Sequence, residues 1–150
     1  MARIIDDEAG IAQLVQSIHR VAVLGIKTEE QRDQPAFYVP EYLAHAGLEV
    51  VPVPVYYPEV QQILGKKVFR KLTDIPGELD LVDVFRRPGD VALHLDDLLA
   101  KRPKAVWMQL GISNDEVARK LVAAGIDVVQ NKCLLVEHRR HAKSGRAQPA

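Results

Sequence analysis

Short, β-branched apolar runs alternate along this chain with segments in which apolar residues recur at helical spacing. Apolar residues on successive positions are typical of a strand covered on both faces, whereas a repeat of three to four residues is typical of an amphipathic helix. The pattern predicts five strands, at 20–24, 48–53, 79–85, 105–108 and 126–130. It predicts helices at 35–46 and 91–101, a first helix around Ile11 and Leu14, one from Ser113 to near Gly125, and a short one from about Cys133.

Strands that alternate with helices predict an α/β fold with one parallel sheet covered on both faces. We expect a Rossmann-like, doubly wound sheet of about five strands, in the order 3-2-1-4-5 when the strands are counted along the chain. Ligands of such sheets bind at the carboxyl edge, beside the first strand, where the strand order reverses. The loops expected to converge there are 25–34, 54–57, 86–89 and 109–113.

Three local features modify this pattern. The polar, proline-containing segment 54–77 predicts a long loop, with one turn of helix at 60–64. Pro40 is expected near the start of its helix or at a kink, because proline lacks the backbone N–H that a helix interior needs. Ser113 and Glu116 have the spacing of a capping box that would begin the fourth helix.

Composition limits the classes of function. A chain of 150 residues that is 47% hydrophobic predicts a single domain, here 1–141, followed by a flexible tail at 142–150. Twenty basic and twenty acidic residues balance, which excludes a general nucleic-acid binder. The first residues hold no long apolar core, and no segment is suited to span a membrane. Because Cys133 is the only cysteine, no intramolecular disulfide can form, and we expect a cytoplasmic protein.

Candidate ligand-binding residues lie where the predicted strands end. The third strand ends at Arg86 and Arg87, followed by the chain breakers Pro88 and Gly89, which predicts local cations at the sheet edge. A strand ending in two solvated arginines is the alternative.

The loop after the first strand, 25–28, lacks the second and third glycines of the dinucleotide fingerprint, which argues against ordinary NAD binding. Amides near Gly25, the Thr28 hydroxyl and the Lys27 ammonium remain suited to a phosphate. The alternative is that Gly25 only makes the turn and Lys27 is solvated.

No catalytic or metal-binding pattern is found in the sequence. The five histidines lack a spacing that would bring several of them to one metal. We expect Asp83 to be hydrogen-bonded within the sheet rather than to act as a base, with a shifted pKa. Cys133 is expected to be a small, buried apolar residue more often than a reactive thiol. The sequence therefore predicts a ligand-binding protein rather than an enzyme.

Several ordered motifs resemble the stand-alone CoA-binding proteins, which are related to the CoA-binding domain of the succinyl-CoA synthetase alpha subunit. The likeness covers roughly residues 20–138. The motifs are Val21-Ala-Val-Leu-Gly25, Tyr42-Leu43 with Gly47, Val51-Pro-Val-Pro54, Gly65, Asp80-Leu-Val-Asp-Val-Phe-Arg-Arg-Pro88, Val106-Trp-Met-Gln-Leu-Gly-Ile112 and Asn131-Lys-Cys133. The resemblance implies a domain that binds coenzyme A and has no reaction of its own.

The resemblance also implies a division of the ligand among the loops. Gly25, Ile26, Lys27 and Thr28 would face the diphosphate, with Arg32 as a further cation. The remaining assignments are Val53 and Pro54 against the adenine, Val84, Phe85, Arg86 and Pro88 along the middle of the ligand, and Gln109, Leu110, Gly111, Ile112, Asn131 and Cys133 near the pantetheine arm.

Two other functions stay open at this point. One is an NAD(P)-dependent oxidoreductase that uses the same crevice, and the other is a regulatory interaction module whose crevice holds no nucleotide. A protein partner or a homo-oligomer is compatible with each of them.

Overall fold

Seven strands and five α-helices form the part of the chain that the computed structural model describes, residues 1–142. The strands are β1 (Arg20–Leu24), β2 (Glu49–Val53), β3 (Gln62–Ile63), β4 (Lys66–Lys67), β5 (Leu81–Val84), β6 (Ala105–Met108) and β7 (Asp127–Val129). The helices are α1 (Glu8–Ser17), α2 (Pro35–His45), α3 (Leu95–Lys101), α4 (Asp115–Ala123) and α5 (Leu134–His141). Shorter 3-10 turns lie at Glu29–Gln31, Leu72–Asp74 and Pro88–His94.

Five of the strands form one parallel sheet in the order β2-β1-β5-β6-β7. In this sheet Leu24 pairs with Val53 on one side and with Val84 on the other, and Val84 pairs in turn with Met108. The predicted α/β class and the five-stranded parallel sheet are confirmed. The strand order reverses between β1 and β5, so the crevice at the carboxyl edge lies between these two strands.

The predicted order 3-2-1-4-5 is wrong, because the third sheet strand, β5, lies between β1 and β6. The order counted along the chain is therefore 2-1-3-4-5. Two features of the sequence explain the difference. Pro52 lacks a backbone N–H, which suits an edge strand, and β5 is buried along its whole length, which suits an interior strand. The Asp80 carboxylate also accepts hydrogen bonds from the backbone N–H groups of His19 and Arg20, which ties the start of β5 to β1.

Alternate residues of the strands point to two apolar layers. Val23, Leu81 and Trp107 face α1, α2 and α5, whereas Leu24, Val84 and Met108 face α3 and α4. The sheet is thus covered on both faces, as a doubly wound fold requires.

Both edges of the sheet are in contact with other segments. At β2 the backbone N–H of Phe69, which follows the β3–β4 hairpin, donates to the Pro52 carbonyl oxygen at 2.9 Å. At β7 Ile4 forms a parallel bridge with Val128, and the N–H of Ile5 donates to the Val128 carbonyl oxygen at 2.7 Å.

Several local predictions need correction. The helical turn expected at 60–64 is wrong, because Gln62–Ile63 forms a strand of the hairpin. The helix expected at 91–101 begins as the 3-10 turn Pro88–His94 and becomes α-helical only at Leu95. The cap of α4 is Asn114 rather than Ser113, because the Asn114 side chain accepts the N–H of Val117.

Within residues 1–142, no helix is long and apolar enough to cross a membrane. Of the tail expected at 142–150, only Ala142 is among the described residues, and 143–150 lie outside them.

Candidate functional site

The carboxyl ends of β1, β2 and β5 meet at Gly25, where the strand order reverses. Its N–H donates to the Val53 carbonyl oxygen at 2.9 Å, and its φ of +89° is one that glycine adopts without strain. A Cβ atom at this position would lie 2.2 Å from the Phe85 carbonyl oxygen. The missing side chain therefore lets the loop after β1 lie directly against the end of β5.

The loop after Gly25 is held by the first turn of α2. Pro40 lies inside α2 and has no N–H, so the Ala36 carbonyl oxygen is free of its usual helical partner. That oxygen accepts the N–H of Lys27 at 3.1 Å instead. The Lys27 ammonium donates to the side-chain oxygen of Gln34, the residue that precedes α2. A proline within the helix thus fixes the loop that carries the candidate phosphate-binding lysine.

Thr28 has a structural partner. Its hydroxyl accepts the N–H of Glu30, and its own N–H donates to the Gln31 side chain. Thr28 and Gln31 thus form a capping box for the 3-10 turn Glu29–Gln31. The Thr28 side chain is buried. The hydroxyl expected to face a phosphate is occupied in this cap.

A cavity of about 320 Å³ opens on the α2 and α5 side of the sheet edge. Its lining is mainly apolar, with the half-buried Phe85 on the strand side and the exposed Leu110 on the loop after β6. The free thiol of Cys133, at the N-terminus of α5, also lines it. The full lining is Lys27, Gln34, Pro35, Ala36, Tyr38, Phe85, Gln109, Leu110, Ile112 and Cys133.

Side-chain amides hold the two loops on the far side of this cavity. The buried Gln109 side chain accepts the N–H of Leu134 at 3.0 Å, which provides a partner for the first turn of α5. Asn131, at a φ of +59°, accepts the N–H of Gly111 with its side-chain oxygen at 2.7 Å. Its own N–H donates to the Ile112 carbonyl oxygen at 3.0 Å. These bonds join the loop after β6 to the loop after β7.

Arg86 lies on the other side of Gly25. Its Nε donates to the imidazole of His94 at 3.1 Å and one terminal nitrogen donates to the Tyr56 hydroxyl at 3.3 Å. Asp90 lies 3.8 Å from the other terminal nitrogen, and 10% of the Arg86 side chain is exposed. Burial and the Arg86 charge lower the pKa of His94, which suits a neutral imidazole that accepts this hydrogen bond.

Asp83 lies below the edge of the cavity. It is two residues before Phe85 on the same face of β5 and pairs in register with Val23 and Trp107. It is fully buried, and neither carboxyl oxygen has a hydrogen-bond partner among the described residues. The expectation that Asp83 is hydrogen-bonded within the sheet is therefore wrong. Burial raises the pKa of this carboxyl well above its usual range, which favours the neutral acid.

Residues 19–139 match the family model described as the CoA binding domain. The chain belongs to this family. The uncharacterized protein YneT of Bacillus subtilis (strain 168) is 30% identical to this CoA binding domain over 131 residues, which cover 87% of this chain and 93% of that protein.

Two solved structures show how widely this fold occurs. The cell-free ID.343 protein from Thermus thermophilus is 36% identical, with a TM-score of 0.81 over 90% of this chain and 98% of its own. The dinucleotide forming acetyl-coenzyme A synthetase 1 of Ca. Korarchaeum cryptofilum shares the fold, with 20% identity and a TM-score of 0.61 over 78% of this chain and 27% of its own. The matched fold thus spans nearly all of one chain and about a quarter of the other.

The predicted binding residues do not all line one cavity. Six of them line the cavity together: Lys27, Phe85, Gln109, Leu110, Ile112 and Cys133. Ile26, Val53, Pro54 and Val84 are buried, so a ligand would meet their backbone rather than their side chains. Arg32 does not line this cavity, since it lies 3.7 Å from Glu41 of α2 and 5.7 Å from the centre of the Phe37 ring.

The cavity also includes residues that sequence reasoning missed, namely Gln34, Pro35, Ala36 and Tyr38. The predicted start of a helix at Pro35 could have indicated these residues, because a helix that begins after the first loop presents its N-terminus to the sheet edge. Within residues 1–142, no group of three or more histidine, cysteine or acidic residues is placed to hold a metal ion.

Proposed function

We propose that this CoA binding domain binds coenzyme A or an acyl-CoA in the crevice around Gly25. It would act in the cytoplasm as a carrier, sensor or partner module, without chemistry of its own. The observation that carries the proposal is that an apolar cavity lined by Lys27 and Phe85 and the guanidinium of Arg86 lie at the same carboxyl edge of the sheet, beside the close contact between Gly25 and Phe85. An elongated ligand with an apolar arm and a charged middle suits that arrangement.

The chemistry of the two sides supports this ligand. The pantetheine arm or an acyl chain suits the mainly apolar cavity, where its thiol end would approach Cys133. The diphosphate needs cations, and Lys27 and Arg86 lie on either side of Gly25. The balanced total charge of the chain is compatible with such a local anion site.

The oxidoreductase alternative has less support. A dinucleotide site needs small residues after its first glycine so that the backbone can approach the pyrophosphate. Here Ile26 is 1% exposed and packs into the apolar core. The buried Asp83 carboxyl is not among the residues that line the cavity, so we assign no catalytic base.

Calorimetric titration of the purified protein with CoA, acetyl-CoA, NAD and NADP tests the proposal. We expect micromolar binding of CoA or acetyl-CoA and no heat from the dinucleotides. Binding of NAD(P) without CoA would support the oxidoreductase. The absence of all four signals would support an interaction module with an empty crevice.

A pair of variants tests the location of the ligand. Arg86→Ala should weaken CoA binding by about tenfold or more if the guanidinium meets a phosphate, since hydrogen bonds to charged groups contribute about 1.5–3 kcal/mol. Lys104→Ala is the matched control, because Lys104 precedes β6 at the opposite edge of the sheet and has a mostly exposed side chain that pairs with Asp80. Equal affinity of the two variants would remove Arg86 from the site.

A further inference from the structure

Tyr56 presents an exposed aromatic ring close to the carboxyl edge of the sheet. It follows β2 by three residues, and 59% of it is exposed. By contrast, Trp107 and Phe37 are fully buried. The ring is therefore accessible to a ligand bound at this edge of the sheet.

The ring of Tyr56 is held in place by Arg86. The guanidinium carbon lies 5.7 Å from the ring centre, and a terminal nitrogen donates to the hydroxyl at 3.3 Å. The Arg86 side chain is itself fixed by His94. The ring of Tyr57 contacts Tyr56 at nearly a right angle, with 6.4 Å between centres. The orientation of the exposed ring is therefore set before any ligand arrives.

The backbone below the ring is held by a second arginine. Arg70 donates to the carbonyl oxygens of four residues of this loop, at 2.7–3.3 Å: Tyr56, Tyr57, Pro58 and Val60. Within the loop Tyr57 adopts a φ of +64°, which is unfavourable for a bulky residue. Polar contacts of one guanidinium with four carbonyl oxygens keep the loop in this conformation, and the loop in turn presents Tyr56.

Tyr56 is also well placed along an extended ligand. Arg86 lies between Tyr56 and Gly25. It lies over the Tyr56 ring, and its Cδ atom would be 3.4 Å from a Cβ atom added to Gly25. Phe85 lines the cavity on the α2 and α5 side, whereas Arg86 contacts His94 in the 3-10 turn before α3, so the two side chains lie on opposite sides of the sheet edge. A ligand whose apolar arm lies in the cavity and that continues along this edge past Gly25 would bring its nucleotide end to Tyr56.

We propose that Tyr56 is a stacking platform for the adenine ring of bound CoA and that Arg86 fixes the orientation of that platform. This inference rests on the proposed function. Stacking on an aromatic side chain tolerates any base but requires a base. The platform therefore selects ligands that carry a nucleotide over those that carry only the pantetheine arm.

Two ligands and two variants test this inference. CoA and 4′-phosphopantetheine, which lacks the adenosine, are titrated against the full chain and against Tyr56→Ala. We expect the variant to bind CoA roughly 5- to 150-fold more weakly, the range that corresponds to the loss of one stacked base, and 4′-phosphopantetheine within twofold of the wild type. Tyr38→Ala, which removes an exposed ring from the cavity, is the matched control and should weaken both ligands by the same factor.

The outcomes separate the inference from the proposed function. Failure of the wild type to bind CoA overturns both. CoA binding that is unchanged in Tyr56→Ala, or an equal loss for both ligands, overturns only the role of Tyr56. A measurement on the wild type covers the case in which the variant does not fold: nuclear Overhauser effects between the adenine protons of CoA and the Tyr56 ring are expected, and their absence in the bound complex overturns the platform.

Discussion

Gly25 and Phe85 lie side by side at the ends of adjacent strands, at a separation that leaves no room for a side chain on Gly25. An added Cβ would be 2.2 Å from the Phe85 carbonyl oxygen, and the φ of +89° would strain any other residue. We expect Gly25→Ala to lower the free energy of unfolding by at least about 2 kcal/mol, since a left-handed conformation costs about 1–2 kcal/mol and overpacking about 1–3 kcal/mol. Urea denaturation measures this loss.

Gly47 provides a matched control for the backbone strain. Its φ of +99° is similar, but a Cβ there would have no neighbour within 4 Å. Gly47→Ala should therefore cost only the conformational part, about 1–2 kcal/mol. Equal losses for the two variants would show that close contact with Phe85 does not matter.

The buried Asp83 predicts a dependence of stability on pH. Because burial raises its pKa in the folded state, the folded chain holds this proton more tightly than the unfolded chain, whose pKa is about 3.9. The stabilisation is fully present below about pH 4 and is lost as the pH rises toward the folded-state pKa. Asp83→Asn removes this titration. The stability of the variant relative to the wild type should rise by up to about 1.4 kcal/mol per pH unit above pH 4.

Chemical denaturation of the wild type and Asp83→Asn at pH 5, 6, 7 and 8 measures this difference. Comparing its values across pH separates the titration from the constant effect of placing an amide in the core. A difference that stays flat from pH 5 to pH 8 would mean that Asp83 is not protonated in the folded chain over this range.

Asn131 predicts a link between the stability of the loops and ligand binding. It combines a φ of +59° with the hydrogen bond from Gly111. Alanine does not favour this left-handed conformation and has no side-chain oxygen to accept the Gly111 N–H. The free energy of unfolding of Asn131→Ala should therefore fall by about 1–3 kcal/mol. CoA affinity should fall as well, because the lost bond from Gly111 helps to set the loop beside the cavity.

Asn131→Asp separates this effect from a general loss of stability. Aspartate keeps an accepting oxygen and also tolerates the left-handed conformation. Calorimetry should therefore show CoA binding closer to the wild type for Asn131→Asp than for Asn131→Ala. The reverse order would indicate that the added negative charge, rather than the loop geometry, governs binding.

The sequence predicts most of the fold because the sheet is buried on both faces. β1, β2, β5, β6 and β7 all lie within the predicted apolar runs, and β1 and β6 have the predicted bounds. The order of the strands depends on which strand pairs with which, and hydrophobic pattern alone does not encode that. Pro52 carried the missing information, since a residue without a backbone N–H belongs on an edge strand.

The candidate site was predictable as far as strand ends determine it. The parallel sheet brings Lys27, Phe85, Gln109 and Cys133 together without further information. The bond between Lys27 and the Ala36 carbonyl oxygen depends on a single missing N–H in α2, and no periodicity shows it. Tyr56 was missed for a similar reason, because Arg70 and Arg86 hold it through contacts between distant segments.

The segments that accompany β2 and β7 limit how copies of this protein can associate. An exposed strand edge is a template on which a second chain can add a strand, and such growth leads to aggregation or strand exchange. Here Phe69 occupies the Pro52 carbonyl oxygen at one edge, and residues 3–5 pair with Val128 at the other. We therefore expect any homo-oligomer that keeps this fold to form through helices and loops, so that its assembly leaves the hydrogen bonding of the sheet intact.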